Sequence, residues 1–209
     1  MALPMKALNA RGRRTRTALL GGARALLEED GFEAMTMGAV AERAGVSRRA
    51  VYLHFASRAE LAIALFDYVS ETEGLAASLS AVWAAPDAEQ ALDEWARHLA
   101  RFHPRILAVA REIERVRRLD HAAATHWNLV MRDQQDCCRR LADWLAREQR
   151  LAPAWTPATA ADMLWALMSL DVLKALLADR GWNPRDYGDH LAILFRSTFV
   201  QHRPGAAGQ

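Results

Sequence analysis

The stretch "GVSRRAVYLHF", Gly45 to Phe55, sets two adjacent arginines, Arg48 and Arg49, on a helix only about two turns long. Neighbouring like charges gain nothing for folding, so these side chains point to a receiver outside the chain. Ser47 is placed to cap that helix, and Gly45 to end the one before it. Just upstream, Thr36 can cap the short helix "MGAVAERA". A longer helix precedes it, starting near Thr15, with Leu19, Ala23, Leu26 and Leu27 as its apolar stripe and Gly31 as its stop. Two short helices joined by a glycine turn, after a longer first one, make a helix-turn-helix pattern. Ala41 and Ala44 permit close approach of the pair, while Val46, Val51 and Phe55 supply its apolar contacts.

The rest of the composition fits such a unit on a helical body. The 209 residues are 52% hydrophobic, with only 11 Gly and 7 Pro, and β-branched alternating patterns are nearly absent. The expected fold class is therefore all-α, with about nine helices. The net charge of +2 conceals an asymmetry: residues 1–60 hold ten Lys/Arg against six Asp/Glu, and the remainder 17 against 19. Arg11, Arg13, Arg14 and Arg16 crowd together at the start, which suggests an anionic partner there. No apolar h-region opens the chain and no run of about 18 apolar residues occurs, so a cytoplasmic protein without a membrane partner is expected. The two cysteines, Cys137 and Cys138, are adjacent on a predicted helix and point about 100° apart, which disfavours a disulfide between them. Their spacing fits no metal site, and no cofactor motif is present. Two reduced cysteines are the expectation, with a thiol or soft-metal sensor as the alternative.

Boundaries are legible along the rest of the chain. Ser57 and Glu60 form a capping box for a helix running to Glu73 or beyond. Pro86-Asp87 restarts the chain into a helix expected to break near Pro104. Another helix is expected from there to about Leu119, and a long one from about His121 to Arg150. Thr156-Pro157 opens another that should run to Gly181, and Asn183-Pro184 opens the last.

Chemically, Arg48 and Arg49 stand at the N-terminal end of what would be a recognition helix. Arginine suits base readout because its planar fork can bond guanine O6 and N7 together. Tyr52 and His54 offer polar tips for phosphate oxygens, and Thr36 and Arg58 lie at helix N-termini that favour a phosphate. The segment "MTMGAVAERAGVSRRAVYLHFASRAEL" resembles the DNA-binding segment of the TetR family of bacterial transcriptional regulators. The likeness covers about residues 14–66 and rests on Thr36, the Ala-Gly-Val-Ser turn, Tyr52, His54, Phe55 and the "SRAEL" helix start. Arg58 stands where the family often has lysine, which keeps the charge and changes the geometry of a phosphate contact. The basic arm has two open readings, insertion into a minor groove or a solvated terminus.

The resemblance implies a basic arm at 1–13, a helix-turn-helix domain at 14–60, an effector-binding and dimerisation domain at 61–203, and a disordered tail at 204–209. It further implies a homodimer that binds a palindromic double-stranded DNA operator, most commonly as a repressor. The helix expected from 157 and the last helix are strongly apolar, so Leu173, Leu176, Leu191 and Phe195 are candidate dimer-interface residues, with burial inside one subunit as the alternative. Trp95, His98 and Phe102 share one helix face, as do Trp127, Met131 and Gln134, with Trp165 and Met168 able to close the space. These are either plain core or the walls of a pocket for a lipophilic or aromatic effector. Two competing classes stay open: a regulator with no small-molecule effector, and an enzyme with a site assembled from distant residues. Against the latter, no HExxH, GxSxG or phosphate-cradling glycine loop occurs.

Overall fold

The computed structural model describes residues 9–201; the first eight residues and the expected tail at 204–209 lie outside them. The described chain is all-helical, apart from one isolated antiparallel bridge between Leu151 and Val200. The helices are α1 (Ala10–Asp30), α2 (Met37–Arg43), α3 (Arg48–His54), α4 (Arg58–Thr72), α5 (Leu75–Trp83), α6 (Ala88–Val116), α7 (His121–Arg147), α8 (Pro157–Ala166), α9 (Leu170–Leu173) and α10 (Pro184–Phe199). A 3₁₀ turn, Phe32–Ala34, follows α1, and a π-helical segment, Lys174–Asp179, continues α9. Two compact units emerge: the residues up to Thr72 with Ala108–Trp127, and Glu73–Leu107 with the chain from Asn128 onward.

Four boundaries differ from the sequence expectation, each for a local reason. Helix α1 starts five residues earlier than Thr15, because the Asn9 side chain accepts from the Gly12 N–H at 2.8 Å and caps it. The arginines Arg11, Arg13, Arg14 and Arg16 are thus helical. Helix α5 went unforeseen: Gly74 takes a left-handed conformation, φ 73°, and lets a new helix begin where the previous one ends. Helix α6 runs straight through Pro104. Loss of one backbone donor is outweighed by a stripe that stays in phase across it, Leu99, Phe102, Ile106, Val109 and Ile113 all being buried. The helix expected over 157–180 is instead interrupted after Ala166, where Ser169 turns its hydroxyl to the Val172 N–H and caps a new segment.

In the first unit, α1 and α4 bury Leu19, Ala23, Leu26, Leu61 and Leu65, and the small helices contribute Met37, Val40, Val51 and Phe55. The second unit's core joins α6, α7, α8, α9 and α10 through Leu92, Trp95, Leu99, Leu141, Leu164, Leu173, Leu191, Phe195 and Phe199. Cys138 belongs to it, its thiol donating to the Met168 sulfur at 3.5 Å, with burial pushing the thiol up to about 12. Both cysteines are free, and Cys138 serves as packing.

Two histidines in α6 carry a pH signature. His98 and His103 are each 3% exposed, and burial pulls their imidazoles down to about 4 and about 3. Both are neutral when folded, whereas the unfolded chain binds their protons below about pH 6.5. The unfolded state therefore gains protons first as the medium acidifies, and stability falls from about pH 6.5 toward pH 4. Urea midpoints measured across that window should show this decline. The slope should flatten in a His103→Leu variant, and an equally steep slope there would assign it to other groups.

Candidate nucleic-acid interface

The turn between α2 and α3 is closed by backbone bonds from Gly45 N–H to Glu42 O and from Val46 N–H to Ala41 O, at 3.1 and 3.0 Å. Gly45 sits at φ 66°, a conformation that side-chain-bearing residues rarely adopt. The Thr36 and Ser47 hydroxyls cap α2 and α3 by accepting from Ala39 and Ala50 N–H groups at 3.1 and 3.2 Å. The Arg43 guanidinium bonds both oxygens of Glu29, tying α2 to α1. These contacts fix how α3 is presented.

On α3, Val51 points inward and is fully buried, while Arg48, Arg49, Tyr52 and Leu53 are exposed. The Arg48 guanidinium lies 6.0 Å from the Tyr52 ring centre, one helical turn on. Leu53, 77% exposed, escaped the sequence reading, which treats a lone leucine as core; only its phase beside Arg49 and opposite Val51 marks it. An exposed leucine among cations is suited to a thymine methyl.

His54 is only half exposed, with its Nδ1 enclosed and unpartnered. Burial, helped by the charge of Arg16, pulls its imidazole below the usual histidine range. A neutral, partly covered ring is less suited to holding a phosphate than the sequence implied. Arg16 holds the end of α3, donating to the His54 carbonyl at 3.3 Å and lying 4.5 Å over the Phe55 ring. Nothing in the local sequence announces that role, since the two residues lie 38 positions apart.

Arg58 also has inward work. Its guanidinium donates to the Phe32 carbonyl, lies 3.8 Å over the Phe32 ring and sits 3.8 Å from Glu33. Ser57 and Glu60 begin α4, the Ser57 hydroxyl accepting from Glu60 N–H and the Glu60 carboxylate from Ala56 N–H. Arg58→Ala should therefore cost about 1–3 kcal/mol of folding stability, from a charge-assisted hydrogen bond and a cation–π contact. Urea denaturation reads this directly, and a variant as stable as the parent would leave Arg58 free for the DNA backbone alone.

The remaining sequence candidates lie elsewhere. Trp95, His98 and Phe102 stack along α6, with ring centres 5.1 and 5.7 Å apart and interplanar angles of 25° and 11°. Trp95 and Met168 are buried in the second unit's core, with Trp165 packed against it. Met131 and Gln134 are half-buried on α7, whereas Trp127 belongs to the first unit, with Arg117 5.2 Å over its ring. Leu173, Leu191 and Phe195 are buried in the subunit's own core, and Leu176 is partly buried against it. No group of His, Cys, Asp and Glu among the described residues is arranged to hold a metal ion, and no described helix is long and apolar enough to cross a membrane.

A capped helix pair with a glycine turn, presenting two arginines, a tyrosine and a leucine on one face, defines a helix-turn-helix DNA-binding protein. Residues 19–65 match the family described as bacterial regulatory proteins, tetR family. Residues 19–65 thus carry a DNA-binding domain of the TetR family, which supports a role in DNA binding and transcription regulation. The fold agrees over nearly the whole length. NalD, the secondary repressor of the MexAB-OprM multidrug efflux pump in Pseudomonas aeruginosa, superposes with a TM-score of 0.66 at 25% identity, covering 91% of this chain and 98% of that one. A transcriptional regulator from Saccharomonospora viridis in complex with choline gives 0.76 at 14% identity, covering 91% and 100%. The fatty acid degradation regulator FadR from Bacillus halodurans gives 0.69 at 16% identity, covering 93% and 97%. A comparison with curated proteins finds no match.

Proposed function

We propose that the protein is a cytoplasmic, two-fold dimeric repressor that binds a palindromic operator and is released from it by a small lipophilic or aromatic effector. The observation that carries the DNA half is the exposed quartet Arg48, Arg49, Tyr52 and Leu53 on a helix whose opposite face is buried. Arg48 and Arg49 read bases, Tyr52 positions the backbone, and Thr36, Ser47, His54 and Arg58 act mainly by holding the reading helix in place. The second unit supplies the effector and dimer functions. NalD is itself a repressor, which supports repression as the mode.

Exposed apolar side chains on the second unit support the dimer: Ile193 is 63% and Leu194 42% exposed on α10, and Met163 is 41% exposed on α8. On α10, Ile193 points away from the buried Leu191 and Phe195, and Leu194 flanks them. The effector reading rests on the aromatic stack of α6 beside the Trp165 and Met168 core, where Trp95 Nε1 is buried without a partner. A ligand can shift the DNA-bound arrangement only through its differential affinity for the two states.

Selection from a random duplex pool tests the whole scheme. Enrichment of an inverted repeat, followed by an effector that raises the operator Kd while changing tryptophan emission, is the expected result. Enrichment of a single half-site would overturn the dimer, and turnover of the effector would favour an enzyme.

A further inference from the structure

Within the second unit, α6 and α10 converge over a cleft of about 500 Å³, within the usual range for small-molecule sites. Its floor is made of small or ring-shaped residues, Ala100 and Pro104 from α6 and Gly188 from α10. The two helices meet so closely that a Cβ on Gly188 would lie 2.8 Å from that of Ala100. Its walls are cationic. Arg97, Arg101 and Arg105 follow one another at every fourth position of α6, and Arg185 faces them from the first turn of α10. Asp189 is the acidic residue of the lining, 3.9 Å from Arg185.

The α6 arginines are held from behind. Arg97 donates through Nη1 to Glu94 at 3.0 Å, and Arg101 through Nη2 to Glu94 and to Ser78 Oγ at 2.7 and 3.1 Å. Arg105 donates through Nη1 to Glu73 at 2.5 Å. The Glu94 and Glu73 side chains are 20% and 17% exposed, whereas the three arginines are 55, 46 and 50% exposed. Carboxylates therefore lie beneath and cations above. Each guanidinium carries five N–H donors, and these bonds use only some of them. Orienting the forks in advance lowers the entropy that an incoming anion would otherwise have to overcome. The aliphatic stems of the same arginines, with the Ala-Pro-Gly floor, give the cleft an apolar lining beneath its charge.

We propose that this cleft binds a small organic anion, a carboxylate or phosphate group carried on a short apolar body. The site goes beyond the DNA-binding and lipophilic-effector reading and uses different residues. It has its own route to the interior. The Ser78 hydroxyl that accepts from Arg101 also meets Nδ1 of buried His98 at 2.9 Å. An anion that draws Arg101 outward frees that hydroxyl and perturbs the stack of His98 with Trp95 and Phe102.

Calorimetric titration of the full chain, without DNA, tests the site with three probes: benzoate, phenyl phosphate and uncharged benzyl alcohol. Saturable binding of one or both anions is expected, with none for benzyl alcohol, and the two anion arms tell carboxylate from phosphate. In the double variant Arg101→Gln, Arg185→Gln the affinity should fall at least about tenfold, the loss of two charge-assisted contacts. Both side chains are largely exposed, and matching circular dichroism melting curves check that the variant folds. Equal affinity in parent and variant, no saturable anion binding, or benzyl alcohol binding as well as the anions would each overturn the proposal. Operator binding by the parent is measured separately, so failure at the cleft leaves the DNA reading standing.

Discussion

Changing Ile193 and Leu194 together to glutamate should yield a monomer whose operator affinity is lower by at least about a thousandfold, the low end of the usual gap between specific and non-specific binding. Both side chains are exposed on α10 in the single chain. In a two-fold interface each occurs twice, so four apolar side chains leave water. At about 1.5–3 kcal/mol for a fully exposed side chain, and with Ile193 63% and Leu194 42% exposed, that is about 3–6 kcal/mol of association free energy. Glutamates in their place would also have to be desolvated without partners. A monomer retains one recognition helix for one half-site and loses the linkage to the second. Light scattering and fluorescence anisotropy on the same samples read both effects. A variant that stays dimeric places the interface on another surface. The contrasting change, Phe195→Ala, acts inside the subunit, where Phe195 is fully buried. It should cost about 3–5 kcal/mol of folding stability, as core truncations of that size do.

Alanine at Arg48 or Arg49 should weaken operator binding by about 1–3 kcal/mol per half-site, the usual value of a bidentate arginine–guanine pair. A two-fold operator presents the contact twice, so the dimer loses about 2–6 kcal/mol. The loss should fall on specific sequence and relax one operator position in each half. Affinity for random DNA should change much less, by the share of one phosphate-range charge. Leu53→Ala should produce a smaller loss confined to one thymine. Binding curves on the selected operator and on a scrambled duplex, at two salt concentrations, separate these effects. Equal losses on both duplexes would reassign the arginines to the backbone.

The local sequence suffices for the helix-turn-helix because its signals are short-range. Thr36 and Ser47 cap helices within three residues, Gly45 supplies a left-handed turn, and Val51 alternates with Arg48 and Arg49 around one helix. Helix α3 begins at Arg48, directly after the Ser47 cap, and is the two turns long that the sequence suggests. The all-helical class follows equally from composition and period.

Long-range packing decided what the sequence left open. Whether α6 breaks at Pro104 depends on how much apolar stripe lies on either side, which one local rule about proline does not weigh. The apolar row Tyr187, Leu191, Phe195 and Phe199 is the strongest signal in the last helix, and it marks the face buried first, against the helix's own subunit. The exposed apolar pair, Ile193 and Leu194, is the weaker signal, because hydrophobic periodicity does not distinguish a neighbour in the same chain from a second copy. Arg58 and Arg16 read as free cations for the same reason. Their partners, the Phe32 and His54 carbonyls, lie 26 and 38 residues away in sequence, and only the folded chain brings them together. Sequence alone marked out the helix proposed to read DNA; tertiary structure decided which nearby charges stay exposed, because a carbonyl that accepts a guanidinium is placed by the whole fold.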